Sequence, residues 1–227
     1  MTVSAQAGAV WRVVSTRIPT RYAVFQVHGF ERDISSDQVE TALAIVLGDP
    51  TEGTPLLRIH SQCFTSEVLG SLRCDCNDQL EMAMRTITEE GCGLIIYEYQ
   101  EGRGIGLMAK LLAYELQDAG LDTVEANHAL GFKADCRDFN LPAAILHNLG
   151  IRRVRLLSNN PRKSRALSDA GIDVVALVPC ETAPTPYSFS YLLTKKEKLG
   201  HVLGLQRHGQ GDATNVDQRN QRLEAQL

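Results

Sequence analysis

The chain has 227 residues, a formal net charge of −4, 44% hydrophobic and 22% charged residues, which is the balance of a globular protein long enough to bury a sizeable core. That excludes a collagen, a disordered chain and a disulfide-dense miniprotein, and the acidic balance disfavours a nucleic-acid binder working through bulk positive charge. Residues 1–20 lack the basic start and apolar run of an export signal, and no stretch of about 18 apolar residues predicts a membrane span.

A cytoplasmic location is therefore expected. In a reducing compartment the six cysteines read as metal ligands, reactive thiols or small buried residues rather than disulfides. Residues 1–8 are expected to be flexible, residues 9–205 to form one folded unit, and the polar residues 206–227 to be disordered. From residue 9 to 61, apolar or β-branched runs at Val10–Val14, Tyr22–Val27, Leu43–Leu47 and Leu56–Ile59 alternate with turn residues and predict strands. From Asn77 the period changes, and Leu80, Ala83, Met84 and Ile87 predict an amphipathic helix with Gly91 just past its end.

Leu94–Tyr97 reads as a buried strand. The glycine-rich turn Glu101–Gly106 leads into a second helix through Met108, Leu111, Leu112 and Leu116, and a third covers Leu141–Leu149. Residues 153–178 read as a βαβ unit: strand Val154–Leu157, Asn160 as helix cap, Pro161 at the first helical position, Gly171 as stop, strand Ile172–Val178. A last helix falls within Phe189–Leu203. Strands first and alternating elements later predict a mixed α/β (α+β) fold.

Cys63, Cys74 and Cys76 fall within fourteen residues. Thiolates are soft ligands that suit zinc, and three ligands plus water is the arrangement of catalytic zinc. A Cys-x-Cys pair on a straight strand points its sulfurs to opposite faces, so a bend is required here. Thiols gathered by chance are one alternative; a closed site with His60 as fourth ligand is another. Arg162 and Lys163 lie in the first turn of a helix, where cations oppose the helix dipole; a phosphate at that N-terminus resolves the conflict. The Glu101–Gly106 loop matches neither the dinucleotide fingerprint nor the P-loop and is read as a tight turn or a close backbone approach to a ligand. Asp135 and Arg137 stand two residues apart, as an ion pair or with the aspartate as a cap.

Seven separated segments carry a more specific signal: R-I-H-S-Q-C-F-T (Arg58 to Thr65), S-L-R-C-D-C-N-D-Q-L (Ser71 to Leu80), Q-E-G-R-G-I-G-L (Gln100 to Leu107), A-Y-E-L-Q-D (Ala113 to Asp118), D-T-V-E-A-N (Asp122 to Asn127), D-C-R-D-F (Asp135 to Phe139) and L-L-S-N-N-P-R-K (Leu156 to Lys163). In order and spacing they resemble GTP cyclohydrolase II, over roughly residues 10–205. The resemblance implies a single catalytic domain over residues 9–205, in a homodimer. It implies one zinc per subunit on Cys63, Cys74 and Cys76 plus water, and magnesium with the GTP phosphates. The implied reaction opens the imidazole ring of GTP, releases formate and pyrophosphate, and gives 2,5-diamino-6-(5-phosphoribosylamino)pyrimidin-4(3H)-one for riboflavin synthesis.

By position the resemblance makes Tyr114 a positioning or protonating group, Asp135 a proton acceptor, and Arg137 a nucleophile on the α-phosphate or a stabiliser of the departing pyrophosphate. GTP contacts fall on Arg58, Ile59, His60, Ser61, Gln62, Gln79, Glu101, Gly102, Arg103, Thr123, Ser158 and Lys163. Partners are GTP and a second copy, with no nucleic acid and no membrane. The sequence departs from the family pattern at Gln62 (usually Glu), Asn77 (Gly), Ser158 (Thr), and Glu98 and Tyr99 (commonly His-Arg or Leu-Arg). These departures leave room for a paralogue serving a specialised pathway such as toxoflavin biosynthesis, for a variant that stops at the formylated intermediate, or for a non-catalytic GTP-binding relative.

Overall fold

A computed structural model describes residues 9–205; the expectations for residues 1–8 and 206–227 lie outside the described residues. Strands β1 (Val10–Pro19), β2 (Val24–Ser35) and β3 (Gln38–Leu47) form an antiparallel meander. It continues into β4 (Leu56–Ser61), β5 (Gly93–Glu98), β6 (Arg153–Leu157) and β7 (Asp173–Val178), making one mixed seven-stranded sheet ordered β1-β2-β3-β5-β4-β6-β7 among the described residues. β3 pairs antiparallel with β5, and β5, β4, β6 and β7 run parallel.

The helices are α1 (Phe64–Glu67), α2 (Cys76–Glu90), α3 (Glu101–Gly104), α4 (Leu107–Asp118), α5 (Thr123–Ala129), α6 (Asn140–Asn148), α7 (Pro161–Asp169) and α8 (Phe189–Leu199). The expected mixed α/β class is what the chain adopts. The βαβ unit forms as the sequence predicts, with the Asn160 side chain accepting from Arg162 N at 3.0 Å and Pro161 opening α7. α2 ends on Gly91 in the left-handed conformation, φ 72°. β1 to β3 run longer than expected, α1 and α5 are not among the expected helices, and the short α3 falls on the expected glycine-rich turn, with non-helical backbone at Gly102 and Arg103.

Two apolar layers flank the sheet. Leu57, Ile59, Leu94 and Ile96 pack with Leu141, Ile145 and Leu146 of α6 and Leu167 of α7. Leu56, Ile95 and Leu157 pack with Ala83 and Ile87 of α2 on the other face. A central parallel strand buried on both faces needs apolar residues at successive positions, and in β4 only Arg58 and His60 break that pattern before its C-terminal end. By alternation both share the α2 face with Leu56.

β4 and β6 pair only through Leu56↔Arg155 and Leu57↔Leu156. The chain leaving β4 crosses through α2 to β5 on one side, while the chain leaving β6 crosses through α7 to β7 on the other. A crevice opens at the carboxyl ends of such strands, where parallel sheets receive ligands. No helix among the described residues is long and apolar enough to cross a membrane.

Candidate active site

The three cysteines converge. Cys63 precedes α1, Cys74 lies in the coil before α2, and Cys76 is the first residue of α2. Asp75 between them has φ −99° and ψ 13°, a bend that turns both flanking sulfurs to one side. The three sulfur atoms lie within 4.8 Å of one another, and Cys63 Sγ and Cys74 Sγ are 3.7 Å apart. Sulfurs at tetrahedral angles and about 2.3 Å from zinc stand about 3.8 Å apart, so the trio fits that ion. Hydrogen bonds from the Cys74 and Cys76 thiols, helped by Lys110 Nζ at 3.1 Å, pull the Cys63 thiol far down, toward the thiolate a metal needs.

His60 is not a fourth member. Its Nε2 lies 3.0 Å from Glu67 Oε1, its ring stacks on Tyr97, and burial lowers it to about 4, so it is neutral at physiological pH. Glu67, unremarked in the sequence, also accepts from Cys63 N at 2.7 Å and from Tyr97 Oη at 2.6 Å. It therefore fixes the backbone of the first cysteine. Glu101, expected to touch substrate, lines the cavity but spends both oxygens on the protein. Oε2 accepts from Phe64 N (2.6 Å), and Oε1 from Gly102 N (2.9 Å) and Lys110 Nζ (2.8 Å).

The Glu101–Gly106 loop is a strained turn. Gly102 and Arg103 both adopt φ 61°, and Arg103 is the one non-glycine residue with positive φ among those described. Gly104, φ 88°, packs so closely that a Cβ there would stand 3.1 Å from the carbonyl carbon of Cys136. That glycine serves a backbone-to-backbone approach, sealed by Cys136 N donating to Arg103 O at 3.0 Å. The contact carries Arg137 into the site. Both terminal nitrogens of Arg103 are buried without a protein partner, and its guanidinium lies 5.3 Å from the Tyr191 ring.

Arg137 is gripped by Asp135 through Nε (2.9 Å), NH2 (2.8 Å) and its own backbone N (3.1 Å). Arg162 adds a contact to Asp135 Oδ2 at 2.8 Å. Burial alone pushes the Asp135 carboxyl up, but the Arg137 hydrogen bonds win and bring it to about 2. Burial likewise opposes charge on Arg137, and Asp135 outweighs it, so the guanidinium stays protonated. Lys163 Nζ donates to Ile59 O at 2.8 Å. Arg58 donates from NH1 to Leu157 O (3.1 Å) and from NH2 to Gln79 Oε1 (2.6 Å). Arg58 thus ties β4 to the end of β6 where the strands part, and Lys163 ties α7 to β4. Burial first, then Arg58 and Arg137, drives Lys163 well below an ordinary lysine.

Of the sequence-predicted residues, Arg58, His60, Ser61, Gln62, Cys63, Cys74, Cys76, Gln79, Glu101, Gly102, Arg103, Tyr114, Thr123, Arg137, Ser158 and Lys163 line one cavity. Ile59 and Asp135 do not: Ile59 packs in the core and offers its carbonyl to Lys163, and Asp135 stands behind Arg137. Tyr114 Oη lies 3.5 Å from Thr65 Oγ1, itself 3.7 Å from Cys63 Sγ, and burial pushes its phenol up to about 12, so it remains a proton donor. Sequence reasoning missed Lys110, Gln117, Asn127, Tyr191, Lys195 and His201, which also line the cavity.

The model of the family described as GTP cyclohydrolase II matches residues 11–179. A GTP cyclohydrolase-2 of Pseudomonas syringae pv. tomato is 50% identical over 193 residues, covering 85% of this chain and 93% of its own. That of Azotobacter vinelandii is 48% identical over 199 residues, covering 87% and 94%. The chain belongs to the GTP cyclohydrolase II family. It is a hydrolase of that type, and its Cys63–Cys74–Cys76 cluster is a site able to hold the family's metal. A GTP cyclohydrolase-2 of Neisseria meningitidis serogroup A, 50% identical over 84% of this chain and 95% of its own, agrees with the assignment.

Proposed function

We propose that residues 9–205 form a catalytic domain that opens the imidazole ring of GTP, releases formate and pyrophosphate, and yields 2,5-diamino-6-(5-phosphoribosylamino)pyrimidin-4(3H)-one. One observation carries the reading: a three-thiol cluster fit for zinc shares a cavity with the cations Arg58, Arg103, Arg137 and Lys163. Cys63, Cys74 and Cys76 would hold zinc, whose chemistry when bound is Lewis-acid polarisation and the ionisation of water near neutral pH. Magnesium would accompany the triphosphate.

The chain's own residues divide the remaining work. Arg103, with two buried unpartnered nitrogens, and Lys163, crowded by two guanidiniums, favour a polyanion that relieves both. Tyr114 keeps its proton and stands on the cysteine side of the cavity, placed to donate to the base as the ring opens. Arg137 acts as a fixed cation on the α-phosphate and the leaving pyrophosphate rather than as a nucleophile, because Asp135 holds it protonated. Asp135, with its carboxyl at about 2, orients Arg137 and is a poor proton acceptor at neutral pH.

The enzyme works as a homodimer in the cytoplasm in this reading. The edge strand β1 favours a second copy, since it is exposed along its length and carries Trp11, Val13, Val14 and Ile18 outward. Mass spectrometry of the products formed from GTP with zinc and magnesium tests the reaction. Formate, pyrophosphate and the diaminopyrimidine are expected. A product that keeps the formyl group, or unchanged GTP with zinc bound, overturns it. Light scattering on the eluting protein tests the dimer.

A further inference from the structure

Asp75 stands at the N-cap of α2, where an aspartate ordinarily turns its carboxylate onto the first free N–H groups of the helix. Its side chain makes no such bond. It is 4% exposed, and a carboxylate so enclosed requires partners. Oδ1 meets Lys195 Nζ at 2.5 Å, and Oδ2 accepts from Gln79 Nε2 at 2.6 Å. Gln79 Oε1 in turn accepts from Arg58 NH2 at 2.6 Å, and Arg58 NH1 reaches Leu157 O at 3.1 Å. One chain of bonds, buried at both ends and half-buried at Gln79, thus runs from α8 through the Cys74–Asp75–Cys76 bend to the cation that spans β4 and β6.

Lys195 is well fixed for such a role. It lies 120 residues from Asp75 in sequence, and its ammonium rests 4.6 Å from the Tyr191 ring centroid. The segment after α8 is tied to the chain that follows β6 and β7 by Val202 N donating to Asn159 O at 3.0 Å and Gly204 N donating to Glu181 Oε2 at 2.9 Å. α8 therefore presents Lys195 to the bend from a docked segment.

We propose that Lys195 is a positioning residue of the active site: it draws the Asp75 carboxylate away from the helix cap toward α8, which sets the bend that aims Cys74 and Cys76 together and, through Gln79, holds Arg58 toward the substrate. The Cys-x-Cys geometry thereby depends on a side chain from the far end of the chain. The Arg58 part rests on the proposed GTP reaction; the cysteine part does not.

The test uses the zinc-loaded full chain with Lys195→Met and Lys195→Arg, read three ways: zinc transfer to a chelating dye, KM and kcat for GTP, and thermal melting. Removal of the cation leaves the buried Asp75 charge uncompensated, so Lys195→Met is expected to speed zinc loss about 10-fold and raise KM about 10-fold, the change of one charge-assisted hydrogen bond. kcat should fall less than about 3-fold, and Lys195→Arg should recover most of both losses. If Lys195→Met does not fold, Lys195→Gln carries the same comparison. A lower melting temperature with zinc release and KM unaltered makes Lys195 a packing residue and overturns the proposal while leaving the GTP reaction standing. Faster zinc loss from the variant of a chain that never turns over GTP supports the positioning role and sinks the proposed reaction instead.

Discussion

Replacing Asp135 by Asn removes one charge and keeps the shape, which isolates the grip on Arg137. The Asp135 side chain is 9% exposed and receives Arg137 through three nitrogens and Arg162 through one. An ordinary carboxyl at 3.8 has become one at about 2, a gap that corresponds to about 2 kcal/mol of stability at neutral pH. The folded value is depressed, so this contribution is fully present above about pH 4 and is lost as pH falls through 2. Urea unfolding should show Asp135→Asn about 2 kcal/mol less stable than the unaltered chain from pH 7 down to about 4, with the difference shrinking below that. Steady-state turnover should fall as well, because an amide cannot return the paired acceptance that holds the guanidinium in plane. Equal urea midpoints at pH 7 would refute the argument that Arg137 is held by charge. A turnover profile with an Asp135-dependent inflection between pH 5 and 7 would refute its assignment as an orienting rather than proton-accepting group.

Cys74→Ser should abolish stoichiometric zinc, measured by metal analysis, and formate release with it. Gly104→Ala is strained both by φ 88° and by a Cβ 3.1 Å from the Cys136 carbonyl carbon; a loss of about 1–3 kcal/mol in urea with a higher KM for GTP is expected, since the displaced backbone carries Arg137. Glu98 is 1% exposed, Gln100 reaches only its Oε1, and burial raises its carboxyl to about 8. The native state therefore holds this proton more tightly than the unfolded chain, so stability on its account falls as pH rises from about 4.5 to 8 and levels off beyond. Glu98→Gln should melt higher than the unaltered chain at pH 9 and nearly level with it at pH 5; equal melting at both is the result that removes the claim.

The parts of the molecule legible in the sequence are those where local physics decides. Asn160 and Pro161 announce α7, Gly91 ends α2, and the apolar runs of β4, β5 and β6 reflect burial on both faces. The cysteine spacing is legible because three soft ligands so close together have few other uses. β1 was underestimated because an edge strand exposed on both sides shows no alternation: Arg12, Ser15, Thr16 and Arg17 interrupt what the backbone continues to Pro19. α1 and α5 are too short to show a helical period. A charged residue in a sequence reads as solvated, which hides Glu67, Lys110 and Lys195; the meaning of the two lysines lies in Cys63 and Asp75, 47 and 120 residues away, and that of Glu67 in a buried backbone N–H no pattern marks.

Whole-chain acidity and a cationic site are compatible because the fold separates them. The excess negative charge of the sequence is spread over the chain, whereas Arg58, Arg137 and Lys163 are gathered at one opening of the sheet. They are gathered for a geometric reason: β4 and β6 hold only two pairs of residues in register before their chains diverge. The crevice so opened has to be closed by side chains long enough to reach across, as Arg58 does to Leu157 O and Lys163 to Ile59 O. The same reach that knits the strands leaves like charges crowded in a buried place, at a cost seen in the lowered Lys163. Among the described residues, Asp135 is the carboxylate bonded to these side chains, which otherwise donate to the neutral oxygens of Ser61, Gln79, Leu157 and Ile59, while the nearby Glu98 carboxyl is raised to about 8 by burial. Carboxylates at Ser61 or Gln79 would settle the charge permanently; hydroxyl and amide oxygens leave it for an anion to settle on binding. That arrangement favours a site built for a polyphosphate over a structural ion-pair cluster.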